Sequence, residues 1–146
     1  MKYFLITLVA AMLFTGSAHA QKLAGSQVPA APLAAFKKAF PAAERMKWEK
    51  ENNQYEVNFN LGESEMSALF TPKGELLETE TEMRPSQLPV PVRQVLATRY
   101  KAAKVTEAAK IVTRKTNAVT YEAEVTEGGK KHDLIFTADG HEVAKP

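Results

Sequence analysis

Two periodicities alternate along the chain. Leu33, Phe36, Lys37 and Phe40 recur at three- and four-residue spacing, which predicts a helix with one apolar stripe. Pro32 fits the first helical turn, where a missing N–H costs nothing, and Pro41 stops the helix. The period then falls to two. Met46 and Trp48 alternate with Arg45, Lys47 and Glu49, and Tyr55, Val57, Phe59 and Leu61 alternate with Glu56, Asn58 and Asn60. That is the pattern of half-buried antiparallel strands. Asn52-Asn53 and Gly62 mark turns. Met66, Ala68 and Phe70 form a third strand face, closed by Pro72-Lys73-Gly74, and residues 75–83 a fourth strand.

The same series then recurs, as an internal repeat. Gln27-Val28-Pro29 returns as Gln87-Leu88-Pro89, and Phe36, Phe40 and Ala42-Ala43 return as Leu96, Tyr100 and Ala102-Ala103, all at an offset of sixty. Beyond that the offset is sixty-six: Tyr55-Glu56 matches Tyr121-Glu122, Gly62 matches Gly128, and residues 70–74 match 136–140. The second copy therefore carries six extra residues between Ala103 and Tyr121. Pro91 opens its helix, with Val92, Val95, Leu96, Arg99 and Tyr100 following; Tyr121, Ala123 and Val125 alternate with Glu122 and Glu124. Gly128-Gly129 predicts a hairpin, Leu134 and Phe136 an inward face, and Asp139-Gly140 a turn into a short last strand. Residues 105–114 take the place of the first strand, although Glu107-Ala108-Ala109-Lys110 also suits a longer helix. The expected class is α+β: a tandem repeat of a helix plus a four-stranded antiparallel sheet, with the helices on one sheet face. The expected division is residues 21–83 and 84–146.

The first twenty residues stand apart. Lys2, an apolar run over residues 3–14 and Ala18-His19-Ala20 have the three parts of a secretory signal, with cleavage expected after Ala20. The run is too short for the roughly twenty residues of a spanning helix, so no stable membrane anchor is expected. The chain has no cysteine, hence neither a lipoprotein attachment point at Gln21 nor a disulfide. A periplasmic or secreted protein held by its packed core is expected.

Charge is balanced overall and uneven along the chain. Residues 44–82 hold ten acidic and four basic side chains; residues 84–115 hold eight basic and one acidic. Such asymmetry can steer a charged partner. The compartment, and the lack of a basic run interleaved with aromatics, argue against nucleic acid.

If the helices cover one sheet face, the other carries Glu56, Asn58, Asn60, Ser67, Leu69, Glu122, Glu124 and Ile135, the candidate binding residues. Trp48, Tyr55 and Phe59 are expected in the core. Glu78, Glu80 and Glu82 share one strand face and read as the charged guard of an edge strand; weak calcium binding or a basic partner is the alternative. His132, His141 and Asp139 lie on two arms of one expected hairpin and have donors suited to zinc or copper, but no close-set ligand motif supports a metal. His132-Asp133 point to opposite faces of a strand, and no nucleophile motif or phosphate-cradling glycine loop occurs. No catalytic residue and no cofactor is assigned.

Val28-Pro29, Trp48, Tyr55-Glu56-Val57, residues 70–74, Leu88-Pro89, Tyr121-Glu122 and residues 136–140 together make the chain resemble the PepSY-like family of small exported bacterial proteins, also described as β-lactamase-inhibitor-like. The resemblance implies two helix-plus-four-strand modules, with their sheets side by side around a shared concave surface. It also implies a non-enzymatic binding module acting on another extracytoplasmic protein, as an inhibitor or regulator of a secreted or periplasmic hydrolase or peptidase. The chain departs from the β-lactamase inhibitor protein, which grips an enzyme with such a surface, in lacking the cysteines that tie its modules, and its second copy lacks a tryptophan. A periplasmic small-molecule or metal-ion-binding protein is the alternative reading.

Overall fold

The computed structural model describes residues 21–144; the expected signal and its cleavage site lie outside the described residues. The chain runs β1 (Gln21–Leu23), α1 (Ala30–Ala39), β2 (Glu44–Glu51), β3 (Gln54–Leu61), β4 (Ser64–Phe70), β5 (Leu76–Met83), α2 (Val90–Arg99), β6 (Lys104–Thr113), β7 (Ala118–Glu127), β8 (Lys130–Phe136) and β9 (Glu142–Val143). A short 3₁₀ turn precedes each helix.

The strands form one antiparallel sheet of nine, arranged in sequence order from β1 to β9. Two separate four-stranded sheets are not what forms. β5 pairs with β4 on one side and β6 on the other, from Glu78 opposite Thr113 to Met83 opposite Ala108. β5 thus ends one repeat and begins the next. The strand that sequence reasoning missed, β1, fills the same place at the start of the first repeat: Leu23 lies opposite Trp48 as Met83, sixty residues on, lies opposite Ala108.

The repeat is also visible in the helix entrances. The Gln27 side-chain oxygen accepts from the Ala24 N–H at 2.9 Å, and that of Gln87 from the Arg84 N–H at 2.9 Å. The start of α1 rests on the turn after β4, and the start of α2 on the turn after β8. A Cβ on Gly74 would meet the Ala31 carbonyl oxygen at 2.7 Å, and one on Gly140 the Pro91 carbonyl oxygen at 3.1 Å. Both glycines have positive φ, +83° and +88°, which L side chains rarely adopt.

The six extra residues lengthen the β6–β7 hairpin. Its strands have ten residues each against eight in β2 and β3, and its turn has four, Arg114 to Asn117, against the two of Asn52-Asn53. The helix-forming tendency of Glu107-Ala108-Ala109-Lys110 yields to β pairing on both sides, with β5 and β7. Both repeats carry a bulge near the start of their first hairpin strand, between Glu44 and Lys47 and between Val105 and Glu107. In the first, Arg45 adopts φ +55°. The bulge breaks the expected alternation, and Met46 is 49% exposed rather than inward.

Two cores lie on one face. In the first, Phe36 of α1 stacks its ring against Phe40, Trp48, Phe59 and Phe70, with centroids 5.0–6.3 Å apart. In the second, Val92 and Leu96 of α2 pack with Leu88, Ala108, Ala123, Val125 and Phe136. The register row Phe59–Met66–Thr81–Lys110–Tyr121–Phe136 runs from one core to the other, so both helices cover the same side of the sheet. Trp48, Tyr55 and Phe59 are buried in the first core.

Candidate functional site

The side of the sheet opposite the helices follows from the register. Lys22, Glu49, Glu56, Leu69, Glu78 and Thr113 form one row across the strands; Lys47, Asn58, Ser67, Glu80, Ile111 and Thr120 form the next. A third row runs through Glu82, Ala109, Glu122, Ile135 and Val143, and a fourth through Glu107, Glu124 and Asp133. Alternation along each strand sets the composition of this side: where the helix-facing positions are apolar, the intervening ones are mostly Glu, Asn, Ser, Thr and Lys, with Leu69, Ala109, Ile111 and Ile135 among them.

The centre of this face is a cleft of about 290 Å³ lined by Asn52, Gln54, Glu56, Ser67, Leu69, Glu78, Glu80 and Glu122. Glu56 is on β3 and Glu122 on β7. Four strand spacings would part these strands by roughly 19 Å in a flat sheet, so the cleft spans the middle of the face, hollowed by sheet twist. Of the eight candidate residues, it gathers Glu56, Ser67, Leu69 and Glu122. Asn58 and Asn60 line a neighbouring hollow of about 250 Å³ with Arg45, Lys47, Glu65 and Glu82. Glu124 is apart, held by the Lys131 ammonium at 2.8 Å and the Thr106 hydroxyl at 2.6 Å. Those two donors lower its carboxyl from the ordinary range.

Ile135 is not available for contact. It is 3% exposed, although it belongs to this side of the sheet. Ile111 and Ala109, which sequence reasoning did not single out, are also buried here, Ile111 at 5% exposure. Leu69 and Ile135 are on β4 and β8 with three strands between them, so they do not join into one apolar patch. The open face is acidic and polar.

Glu78, Glu80 and Glu82 acquire a different meaning. β5 is the fifth of nine strands, so their row is at the middle of the sheet and cannot guard an edge. Their cross-strand neighbours are neutral: Ser67 and Leu69 on β4, and Ala109, Ile111 and Thr113 on β6. Neutral flanks limit the repulsion that like charges directly opposite would cause. One exception is Glu82, whose carboxyl titrates above its ordinary value of 4.5. Partial burial raises it first, followed by the Glu65 carboxylate and its hydrogen bond and by the charge of Glu107. The period-two run of acids was visible in the sequence; only the pairing of β5 with β6 shows where it is.

His132, His141 and Asp139 do not come together as a metal centre. His141 Nδ1 is 3.0 Å from Asp139 Oδ2, and the Thr137 hydroxyl donates to the other carboxylate oxygen. That hydroxyl is the main cause of a lowered Asp139 carboxyl, ahead of the imidazole. His132 is opposite Val125, four residues back along β8 from Phe136, or roughly 13 Å at the rise of a strand. Among the described residues no three His, Asp or Glu side chains converge as metal ligands. No described helix is long and apolar enough to cross a membrane.

A family model described as "Putative beta-lactamase-inhibitor-like, PepSY-like" matches the chain twice, over residues 15–78 and 64–142. The two matches overlap through residues 64–78, which include the start of the shared strand β5. Among solved structures, a "putative periplasmic" protein of Bacteroides eggerthii is 19% identical, with a TM-score of 0.71 over 80% of this chain and 86% of that one. A Bacteroides uniformis protein is 21% identical, with a TM-score of 0.70 over 80% and 86%. A BLIP-like protein of Bacteroides fragilis is 26% identical, with a TM-score of 0.65 over 80% and 84%. No curated protein matches the chain.

Proposed function

Because the chain belongs to the PepSY-like, β-lactamase-inhibitor-like family, we propose that it is a non-catalytic binding module. It acts outside the cytoplasm, as the description of the B. eggerthii relative suggests, after removal of residues 1–20. Its partner is another extracytoplasmic protein, a secreted or periplasmic hydrolase or peptidase that it inhibits or regulates.

The observation that carries this reading is the cleft at the centre of the helix-free face, where Glu56, Glu78, Glu80 and Glu122 line one hollow. Carboxylates gathered on one concave surface favour a partner that presents Lys and Arg, through electrostatic steering and complementarity. The small-molecule alternative has support of its own from a cavity on the other side of the sheet, described below; a metal-ion role has none among the described side chains.

The test is capture of partners from the extracytoplasmic fraction with the mature protein, alongside a Glu80→Lys/Glu122→Lys variant. A hydrolase or peptidase held at one-to-one stoichiometry, slowed by the wild type, released by added salt and lost with the variant supports the reading. Equal capture by both proteins, or a captured enzyme whose rate is unchanged, refutes it.

A further inference from the structure

The two repeats serve as controls for each other, and one place where they differ is beside α2. There a cavity of about 460 Å³ opens between the helix and the sheet, lined chiefly by Leu88, Leu96, Tyr100, Val105, Val125 and, at its rim, Arg93 and Lys101. That volume is in the range of small-molecule sites, roughly 300–1,000 Å³. The corresponding positions of the first repeat are Phe36 for Leu96, Phe40 for Tyr100 and Phe59 for Val125. There the three rings touch, with centroids 5.6 Å (Phe36–Phe40), 5.0 Å (Phe36–Phe59) and 4.8 Å (Phe40–Phe59) apart. Smaller aliphatic side chains at two of these places leave the space open in the second repeat.

The rim changes together with the volume. Arg93 and Lys101 stand where the first repeat has Leu33 and Pro41, and the lining includes no acidic side chain. The Arg93 Nε donates to the Leu88 carbonyl at 3.1 Å, which fixes the guanidinium at the mouth. Leu88, Leu96 and Val125 are buried and form an apolar floor, whereas both cations are at the solvent side. The Tyr100 hydroxyl is already engaged, donating to Glu142 at 2.7 Å.

We propose that this cavity binds an aliphatic carboxylate, its chain over Leu88, Leu96 and Val125 and its headgroup between Arg93 and Lys101. An apolar floor supplies affinity through burial, and the cationic pair selects an anionic end. The site is on the opposite side of the sheet from the acidic cleft and does not depend on the reading of that face.

Dodecanoate, below its micellar concentration, is the probe, with dodecanol and dodecyltrimethylammonium as neutral and cationic controls, in calorimetry and native mass spectrometry. One dodecanoate per chain is expected, bound at least tenfold more tightly than either control. Leu96→Phe/Val125→Phe, which imports the first repeat's side chains, should abolish binding. Ala97→Trp blocks the same mouth from an exposed position should the double variant fail to fold. Arg93→Leu should remove the preference over dodecanol while leaving chain binding. No dodecanoate binding, binding that survives the filling variants, or equal affinity for the three probes would overturn the proposal.

Discussion

Val92→Ala tests whether the two repeats fold as one unit. Val92 is fully buried in the second core, and Trp48, the chain's one tryptophan, is buried in the first. No side chain is common to the two clusters, so communication between them runs through β5. Removing two buried methyl-sized groups costs about 2 kcal/mol on the scale of Ile→Val changes. Alanine's better helix propensity returns about 0.5 kcal/mol, leaving about 1.5 kcal/mol. With a urea m-value of about 2 kcal/mol/M for a chain of this size, the midpoint falls by about 0.7 M. A strand hydrogen-bonded on both edges cannot lose one repeat without exposing its backbone groups there, so the fluorescence of Trp48 should report the whole shift. Urea titrations followed by tryptophan fluorescence and far-UV circular dichroism provide the measurement. A Trp48 midpoint that stays put while the dichroism moves or splits would refute the argument, because it would mean that the repeats melt independently.

Three further outcomes follow from local geometry. Gly74→Ala places a Cβ against the Ala31 carbonyl and holds alanine at positive φ; the conformation alone costs about 1–2 kcal/mol, so the melting temperature should fall, and an unchanged one would contradict the turn–helix contact. Ile135→Asp should destabilise the protein by at least about 2 kcal/mol, through an unpaired buried charge, whereas Asn58→Asp should stay within about 0.5 kcal/mol; equal effects by thermal melting would mean that Ile135 is on the surface after all. Glu82 titrates above 4.5 in the folded state, so its contribution is fully present below that pH and is lost as the pH rises through the folded value. Glu82→Gln should therefore raise stability at pH 7 by a few tenths of a kcal/mol, since the site is exposed, and change little at pH 4. A gain that is the same at both values would exclude ionisation as its cause.

Local signals carried much of the fold. The apolar stripes of α1 and α2, the alternation in β3 and β7, and turn residues such as Asn52-Asn53 and Gly128-Gly129 each depend on neighbours within a few positions. Pairing between distant segments leaves no such trace. Nothing within residues 75–83 or 104–113 announces that β5 and β6 are hydrogen-bonded to each other, so the acidic row of β5 read as an edge when it is the centre. The bulge at Arg45 is hidden for a related reason: one extra residue shifts the inward phase without altering the apparent alternation, which predicts Met46 inward. For the candidate site, strand parity identified the face, gathering Glu56, Ser67, Leu69 and Glu122. Parity alone could not show that Ile111 and Ile135 are sealed within it. The cavity beside α2 is a missing volume, which appears in the sequence only as smaller residues at matched positions.

Among the described residues the sheet finishes at both margins in stubs, three residues in β1 and two in β9. Because each repeat borrows its first strand from its predecessor, this architecture has no intrinsic limit on length: another helix and three strands could join at β9 just as α2 and its strands join at β5. The two-residue β9 makes such an addition difficult. It offers an incoming chain hardly any backbone to pair with, where β5 offers six residues to β6. Extending β9 to the length of β5 would turn a margin into a template, on which one chain after another could add as in a fibre.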